Sequence, residues 1–309
     1  MRRNKDVYVN RILFFIRKKI VLLIPENSYI FKYLSILGMR INALKKHKKR
    51  DVMKLDIPVV EHCNLCCKGC TAFSPLAEEE FLDYEQYCKD MRRMAELADR
   101  SFTQITYTGG EPLLHPQFGR MLKFAYEMCP TAEIDFMTNG VLIPQQKDEF
   151  WKTCSDCGVK VRVSKYPINL DHKRITEIEK KWGVNFEWGG GKDIPVKKMW
   201  KYPISLRGDV SLRNSFKLCS QINSCIRMKN GKIYPCNTTA CIEHFNKYFN
   251  KNLELIPGKD YLELEKVKDI QEIFEFLITP PPFCRYCNRA GVTFGYDWAV
   301  SRKDMSEWV

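Results

Sequence analysis

The sequence predicts an α/β fold built on a parallel sheet or barrel, and three observations predict it. Between Lys54 and about Trp188, short β-rich runs alternate with amphipathic helical stretches. Among 309 residues, 45% are hydrophobic and 28% charged, a globular composition with length for one large domain or two ordinary ones. The apolar runs also end in turn-forming sequence, as at Gly109-Gly110 and Asn139-Gly140, where strand-to-helix connections belong.

Five strands follow from the β-rich runs: Lys54–Val60, Gln104–Thr108, Glu133–Thr138, Val159–Ser164 and Val184–Trp188. Helical stretches fall between them near Tyr84–Ala98, Pro116–Met128, Gln146–Cys154 and His172–Trp182. A looser segment, Gly189–Arg213, carries a Gly-Gly-Gly run. From Asn214 to Val309 the texture changes: six cysteines, one helical stretch near Val267–Leu277, and Pro280-Pro281-Pro282 before a Cys-x2-Cys. No internal repeat or low-complexity segment interrupts this order. The expected organisation is 1–53, 54–205 and 206–309.

Nearly all of the net charge of +13 comes from the first fifty residues. Residues 1–50 hold 14 basic and 2 acidic side chains, and the remaining 36 and 35 nearly cancel. That segment reads as a basic helical N-terminal extension, with apolar helices at Val9–Ile24 and Tyr29–Leu44 before the run Lys45 to Arg50. It suits packing on the main body, a negatively charged membrane surface or an acidic protein partner. A nucleic-acid partner is not expected, because the balanced remainder offers no long basic groove. No uncharged apolar run reaches the ~18–20 residues of a membrane span. The most lipophilic stretch, Ile12–Ile24, is cut by Arg17-Lys18-Lys19 and lacks a cleavage site. The expected location is the cytoplasm, with the basic segment able to lie at the inner membrane surface. In that reducing compartment the 14 cysteines are read as metal ligands before disulfides.

The first strand runs into Glu61-His62-Cys63-Asn64-Leu65-Cys66-Cys67-Lys68-Gly69-Cys70. Cys63, Cys67 and Cys70 form Cys-x3-Cys-x2-Cys, which can hold an iron–sulfur cube and leave its fourth iron open. A zinc site, with His62 as fourth ligand, and plain buried cysteines compete on spacing alone. About 40 residues on, Thr108-Gly109-Gly110-Glu111-Pro112 ends the second strand. Paired glycines let the backbone approach a ligand, and Glu111 offers a carboxylate to an ammonium group.

On these two motifs, residues 54–190 resemble the radical S-adenosylmethionine enzymes. The resemblance implies a partial (β/α)6 TIM-like barrel whose Cys63, Cys67 and Cys70 bind a [4Fe–4S] cluster. Its open iron would hold the methionine part of S-adenosylmethionine, with Gly109, Gly110, Glu111 and Pro112 around the amino group. Asn139 and Ser164 fall where strand ends of this family meet the cofactor's ribose or carboxylate. Reductive cleavage would give a 5′-deoxyadenosyl radical that abstracts hydrogen from substrate, fed by a reductant such as flavodoxin or ferredoxin. Two features depart from the pattern. Gly69 stands where an aromatic residue is common, and the Gly-x-Ile-x-Gly-x-x-Glu pattern near the fifth strand is not evident. Cys63, Cys66 and Cys70 give a reversed spacing; the family spacing selects Cys67.

The C-terminal block repeats the theme. Cys219, Gly231, Cys236 and the pair Cys284 and Cys287 give Cys-x11-Gly-x4-Cys and then Cys-x2-Cys, enough for a second cluster or one structural zinc. This spacing resembles the short, twitch-like form of the SPASM/twitch branch, which implies a cysteine-rich cap with one auxiliary [4Fe–4S] cluster. Cys225 is a rival for the place of Cys219. Cys154 and Cys157 lack a partner pair, and Cys88, Cys129 and Cys241 read as packing residues. No catalytic residue is singled out; Asp171, His172, Asp193, Asp209 and Asp297 are unranked candidates for a general base. The segment Thr293–Trp298 reads as ordinary core or as lining of the barrel mouth. The expected activity is hydrogen abstraction followed by oxidation or rearrangement of a small carbohydrate-like substrate. A peptide substrate and a non-catalytic metal-binding adaptor are the alternatives.

Overall fold

The computed structural model describes residues 53–189, 199–219, 221 and 225–309. The basic extension, most of the Gly-Gly-Gly run and Asp193 lie outside the described residues. Strands β1 (Lys54–Val60), β2 (Gln104–Gly109), β3 (Glu133–Thr138), β4 (Lys160–Val163) and β5 (Asn185–Trp188) match the five expected runs to within a residue or two at each end. Between them lie α1 (Tyr84–Leu97), α2 (Phe118–Met128), α3 (Asp148–Asp156) and α4 (His172–Trp182). The caps explain these limits. Asp83 accepts a hydrogen bond from Gln86 N at 2.8 Å to start α1, and Asp171 accepts one from Arg174 N at 2.9 Å to start α4. Gly183, at φ 65°, closes α4.

The sheet runs β5-β4-β3-β2-β1-β7-β8-β9. Its first six members are parallel, and the sixth, β7 (Ile226–Lys229), joins beside β1 through Leu55↔Ile226 and Asp56↔Arg227. β1 is buried from Leu55 to Val60, as a parallel strand covered on both faces must be. Pro58 is tolerated in this inner strand because the ladder shifts register between Pro58 and Val60, and β7 pairs only lower down. The α/β fold with a cysteine-rich C-terminal part is therefore present.

The C-terminal part holds more regular structure than its sequence suggests. β7 turns through Asn230 (φ 46°) and Gly231 (φ 70°) into antiparallel β8 (Lys232–Tyr234), and β9 (Leu262–Glu263) follows. The Asn-Gly pair supplies the two positive-φ residues of a tight hairpin. Helices α5 (Leu212–Leu218), α6 (Asn237–Phe249) and α7 (Ile270–Ile278) complete it, with β6 (Met199–Lys201) paired to β10 (Thr293–Tyr296). One helix, near Val267–Leu277, was expected here; α5 and α6 are corrections. α6 begins Asn-Thr-Thr and lacks a side-chain cap, a poor start on propensity. Burial of Ile242 and Phe245 in a second core with Phe73, Phe283 and Trp308 holds it.

The main core lies between the sheet and α1–α4. Trp151 is fully buried there, with ring centroids 5.0 Å from Phe150 and 5.7 Å from Phe186. Cys88, Cys129 and Cys154 are also buried in it, in keeping with packing roles. Trp151→Ala should cost about 3–5 kcal/mol, read as a lower urea midpoint with an unchanged m-value.

Candidate active site

The C-terminal ends of β1 to β4 open into one cavity of about 390 Å³. Cys63, Cys67 and Cys70 line it together; Cys66 does not. Cys66 turns away in a left-handed conformation (φ 50°), and its carbonyl accepts from Ser301 N at 2.8 Å. The His62 ring packs edge-on against Phe81 at 5.1 Å and is not part of the lining, so it adds no fourth ligand beside the three thiols.

The cysteine loop is held by backbone contacts on two sides. On one side, Gly110 N donates to Val60 O at 2.6 Å and Glu111 N to His62 O at 3.2 Å. A Cβ on Gly110 would come within 1.7 Å of the His62 carbonyl oxygen. On the other side lies the C-terminal tail. Lys68 N donates to Ala299 O at 2.9 Å, Trp298 Nε1 to Cys67 Sγ at 3.1 Å, and Trp308 Nε1 to Cys70 O at 2.8 Å. Gly69 adopts φ 64°, and a Cβ there would meet the Tyr296 hydroxyl at 2.8 Å. This accounts for glycine before the last cysteine: the adjoining space is filled by an aromatic ring from β10.

Glu111 is 1% exposed. It accepts from Leu113 N (3.2 Å), Thr138 Oγ1 (2.7 Å) and Asn139 N (2.9 Å). Burial pushes its carboxyl up to about 7 against those three hydrogen bonds. Among the described residues no cationic side chain pairs with it. A buried carboxylate of this kind fits the ammonium group of a ligand. Asn139 Nδ2 donates to Asn64 Oδ1 at 2.7 Å and lies 3.8 Å from Cys63 Sγ. Burial also pushes the Cys63 thiol up to about 12, with Glu111, Cys70 and Cys67 adding to it. Gly109, Gly110, Glu111, Asn139 and Ser164 all reach the cavity; Pro112 instead opens a buried 3-10 turn.

Sequence reasoning missed the polar group inside the barrel. Asp56 on β1, Thr108 on β2 and Arg227 on β7 all line the cavity. Asp56 accepts from Thr108 Oγ1 at 2.5 Å and Arg227 Nη2 at 2.8 Å. An isolated Asp in a β-run carries no sequence signal; only pairing with β7 reveals its partner. The base candidates fare differently. Asp171 is a helix cap, Asp209 is exposed beside Arg207, and Asp171, His172, Asp209 and Asp297 do not line the cavity.

The second cysteine set also converges. Cys219, Cys284 and Cys287 are buried, and Cys236 starts α6. Burial pushes the Cys284 thiol up, followed by the neighbouring Cys287, Cys236 and Cys219. Cys225 lies elsewhere, with its sulfur 3.8 Å from Asp56 Oδ2. All four cysteines act electrostatically on the buried Arg289, whose Nε and Nη1 have no hydrogen-bond partner among the described residues. A cation so placed fits a negatively charged metal–thiolate group.

The family described as a 4Fe-4S single cluster domain matches residues 56–173, a span that contains all three cysteines of the loop and Glu111. This match agrees with the resemblance of the cysteine loop and the Gly-Gly-Glu-Pro motif to the radical S-adenosylmethionine superfamily. A GTP 3′,8-cyclase of Chlorobaculum tepidum is 30% identical over 132 residues, 43% of this chain and 38% of that protein. The GTP 3′,8-cyclase of Nautilia profundicola is 27% identical over 270 residues, 79% of each chain. The chain thus spans about four tenths of the first of these curated relatives. Among solved structures, BtrN in complex with AdoMet and 2-DOIA aligns with TM-score 0.46 at 16% identity, covering 78% of this chain and 94% of that one. Among the described residues, no helix is long and apolar enough to cross a membrane.

Two predictions follow from this geometry. Gly110→Ala should lower the iron bound at the first site after anaerobic reconstitution. Gly119→Ala, whose new Cβ would only touch the Phe150 ring at 3.4 Å, should not. Glu111 holds its proton to about pH 7 when folded but only to about 4.5 when unfolded. Its contribution to stability is therefore present below pH 4.5 and is lost as pH rises to 7. In metal-free protein, Glu111→Gln should flatten this loss of up to ~3 kcal/mol, read from urea midpoints at pH 5 and 7.5.

Proposed function

We propose that this chain is a radical S-adenosylmethionine enzyme, with a [4Fe–4S] cluster and S-adenosylmethionine as cofactors, that oxidises or rearranges a small, carbohydrate-like substrate. In this reading Cys63, Cys67 and Cys70 hold the first cluster, and Cys219, Cys236, Cys284 and Cys287 hold an auxiliary [4Fe–4S] cluster. The observation that carries it is the shared cavity: the three thiols and Glu111 line the same space as the Asp56–Thr108–Arg227 group. Asp56 and Arg227 offer an acceptor and donors to neighbouring hydroxyl groups. The rings of Trp200 and Tyr202, 10° from parallel, add flat apolar wall to that cavity.

The chain's own residues divide the work. The Gly109-Gly110 backbone admits the cofactor's methionine end, Glu111 takes its ammonium group, and Asn139 and Ser164 flank its ribose or carboxylate. Because Glu111 must be ionised to do so, cofactor affinity falls as pH drops below about 7. Asp56, fixed by Thr108 and Arg227, takes the proton of a substrate hydroxyl. When bound, the first cluster and cofactor supply a carbon radical that takes hydrogen from an unactivated C–H bond, and the auxiliary cluster supplies an electron acceptor. An external protein such as flavodoxin or ferredoxin supplies the reducing electron.

GTP, the substrate named for the curated relatives, is a poorer match. Among the described residues lining the cavity, Arg227 is the sole cation, and Asp56 already neutralises it. A triphosphate would need several.

Anaerobic reconstitution with dithionite and S-adenosylmethionine tests the reading. Wild-type protein and Cys66→Ala should form 5′-deoxyadenosine, and Cys67→Ala should not. Absence of that product from fully loaded wild type would return the chain to the adaptor class. Deuterium from a labelled polyol or amino sugar should appear in 5′-deoxyadenosine; label arriving from a peptide instead would overturn the substrate class.

A further inference from the structure

Arg289 is a buried cation beside the second cysteine set. It is 8% exposed, and among the described residues no carboxylate pairs with it. Its guanidinium lies over the face of Tyr202, 4.8 Å from the ring centroid, and Nη2 is 3.9 Å from Cys287 Sγ. Nε and Nη1 are buried without hydrogen-bond partners among the described residues. A buried guanidinium without a counter-charge is strongly disfavoured. The groups near it, Cys219, Cys236, Cys284 and Cys287, are cysteines, which supply a counter-charge when they bind metal as thiolates.

Thiolates bound to an oxidised iron–sulfur cube change this balance. Four of them bring a net charge of about −2, and one-electron reduction makes it about −3. A fixed cation against the cluster lowers the energy of each state, and of the reduced state more, so the potential rises. The guanidinium cannot discharge by losing a proton near neutral pH. Its Nε–H and Nη1–H are also donors for cluster or cysteine sulfur. Tyr202, under the same guanidinium, lines the cavity, so the charge lies between the second cysteine set and the substrate space.

We infer that Arg289 is the built-in counter-charge of the auxiliary cluster, raising its reduction potential so that it accepts an electron from the cavity side. This rests on the auxiliary-cluster reading above. The residue is a tuning group beside the cysteines and touches no reacting atom.

The test uses full-length protein carrying Cys63→Ala, Cys67→Ala and Cys70→Ala, so that only the second set can hold iron. After anaerobic reconstitution, the remaining cluster is titrated with dithionite and followed by electron paramagnetic resonance. About four irons per chain are expected, with a midpoint that shifts to lower potential in Arg289→Met and returns toward wild type in Arg289→Lys. Loss of the cluster in the Met variant with retention in the Lys variant would also support the inference, since those residues differ in charge. A Met variant with full iron and an unchanged midpoint would overturn it, as would loss of the cluster in both variants. If the parent itself binds no iron, the auxiliary-cluster reading fails first, which iron analysis alone reveals.

Discussion

The architecture depends on one steric constraint, the contact between Gly110 and the carbonyl of His62. Only a residue without a side chain allows the end of β2 to lie against the start of the cysteine loop. From that contact follow the hydrogen bonds of Gly110 N and Glu111 N to the loop backbone. The three thiols and the buried carboxylate thereby share one cavity. Glycine here makes the loop and the strand end a single rigid unit.

The root of the loop is anchored as firmly as its tip. Glu61 is buried between Lys229 on β7, at 3.0 Å, and His244 on α6, at 2.5 Å. Burial opposes its charge, but the His244 hydrogen bond and the Lys229 ammonium hold its carboxyl below the usual value. Glu61, Glu243 and His244 could together ligate a metal, but Lys229 already bridges both carboxylates. The same lysine ties the C-terminal hairpin to the first cysteine motif. β7 also supplies Arg227 to the cavity, so the later part of the chain completes a space begun by the earlier part.

Much of this was legible in the sequence because it is local. The five strands and four helices of 54–188 announce themselves by their period. The family resemblance selects Cys67 over Cys66, and the cavity is lined by Cys67 and not by Cys66. The interval from Cys219 through Gly231 to Cys236 has a plain physical origin: Gly231 closes a tight hairpin between two of the gathered thiols. What sequence could not supply was anything made by pairing across the chain. Asp56 looked like one carboxylate in a strand until Arg227 arrived beside it. Arg289 and Trp308 carry no signal in the sequence, and the segment holding Trp298 reads equally as core or as lining of the barrel mouth. α6 was missed because tertiary burial, and not helix propensity, stabilises it.

The tail's grip on the cysteine loop has a consequence in time. Trp298 reaches Cys67 across 231 residues of sequence, and Trp308 reaches Cys70 across 238. On the ribosome, the loop emerges long before either indole, so its finished shape waits for residues more than two hundred positions later. Iron and sulfur delivered earlier would meet three cysteines on an unbraced segment. The order of synthesis therefore favours loading the metal as a late step of maturation, after the polypeptide has closed over its own first motif.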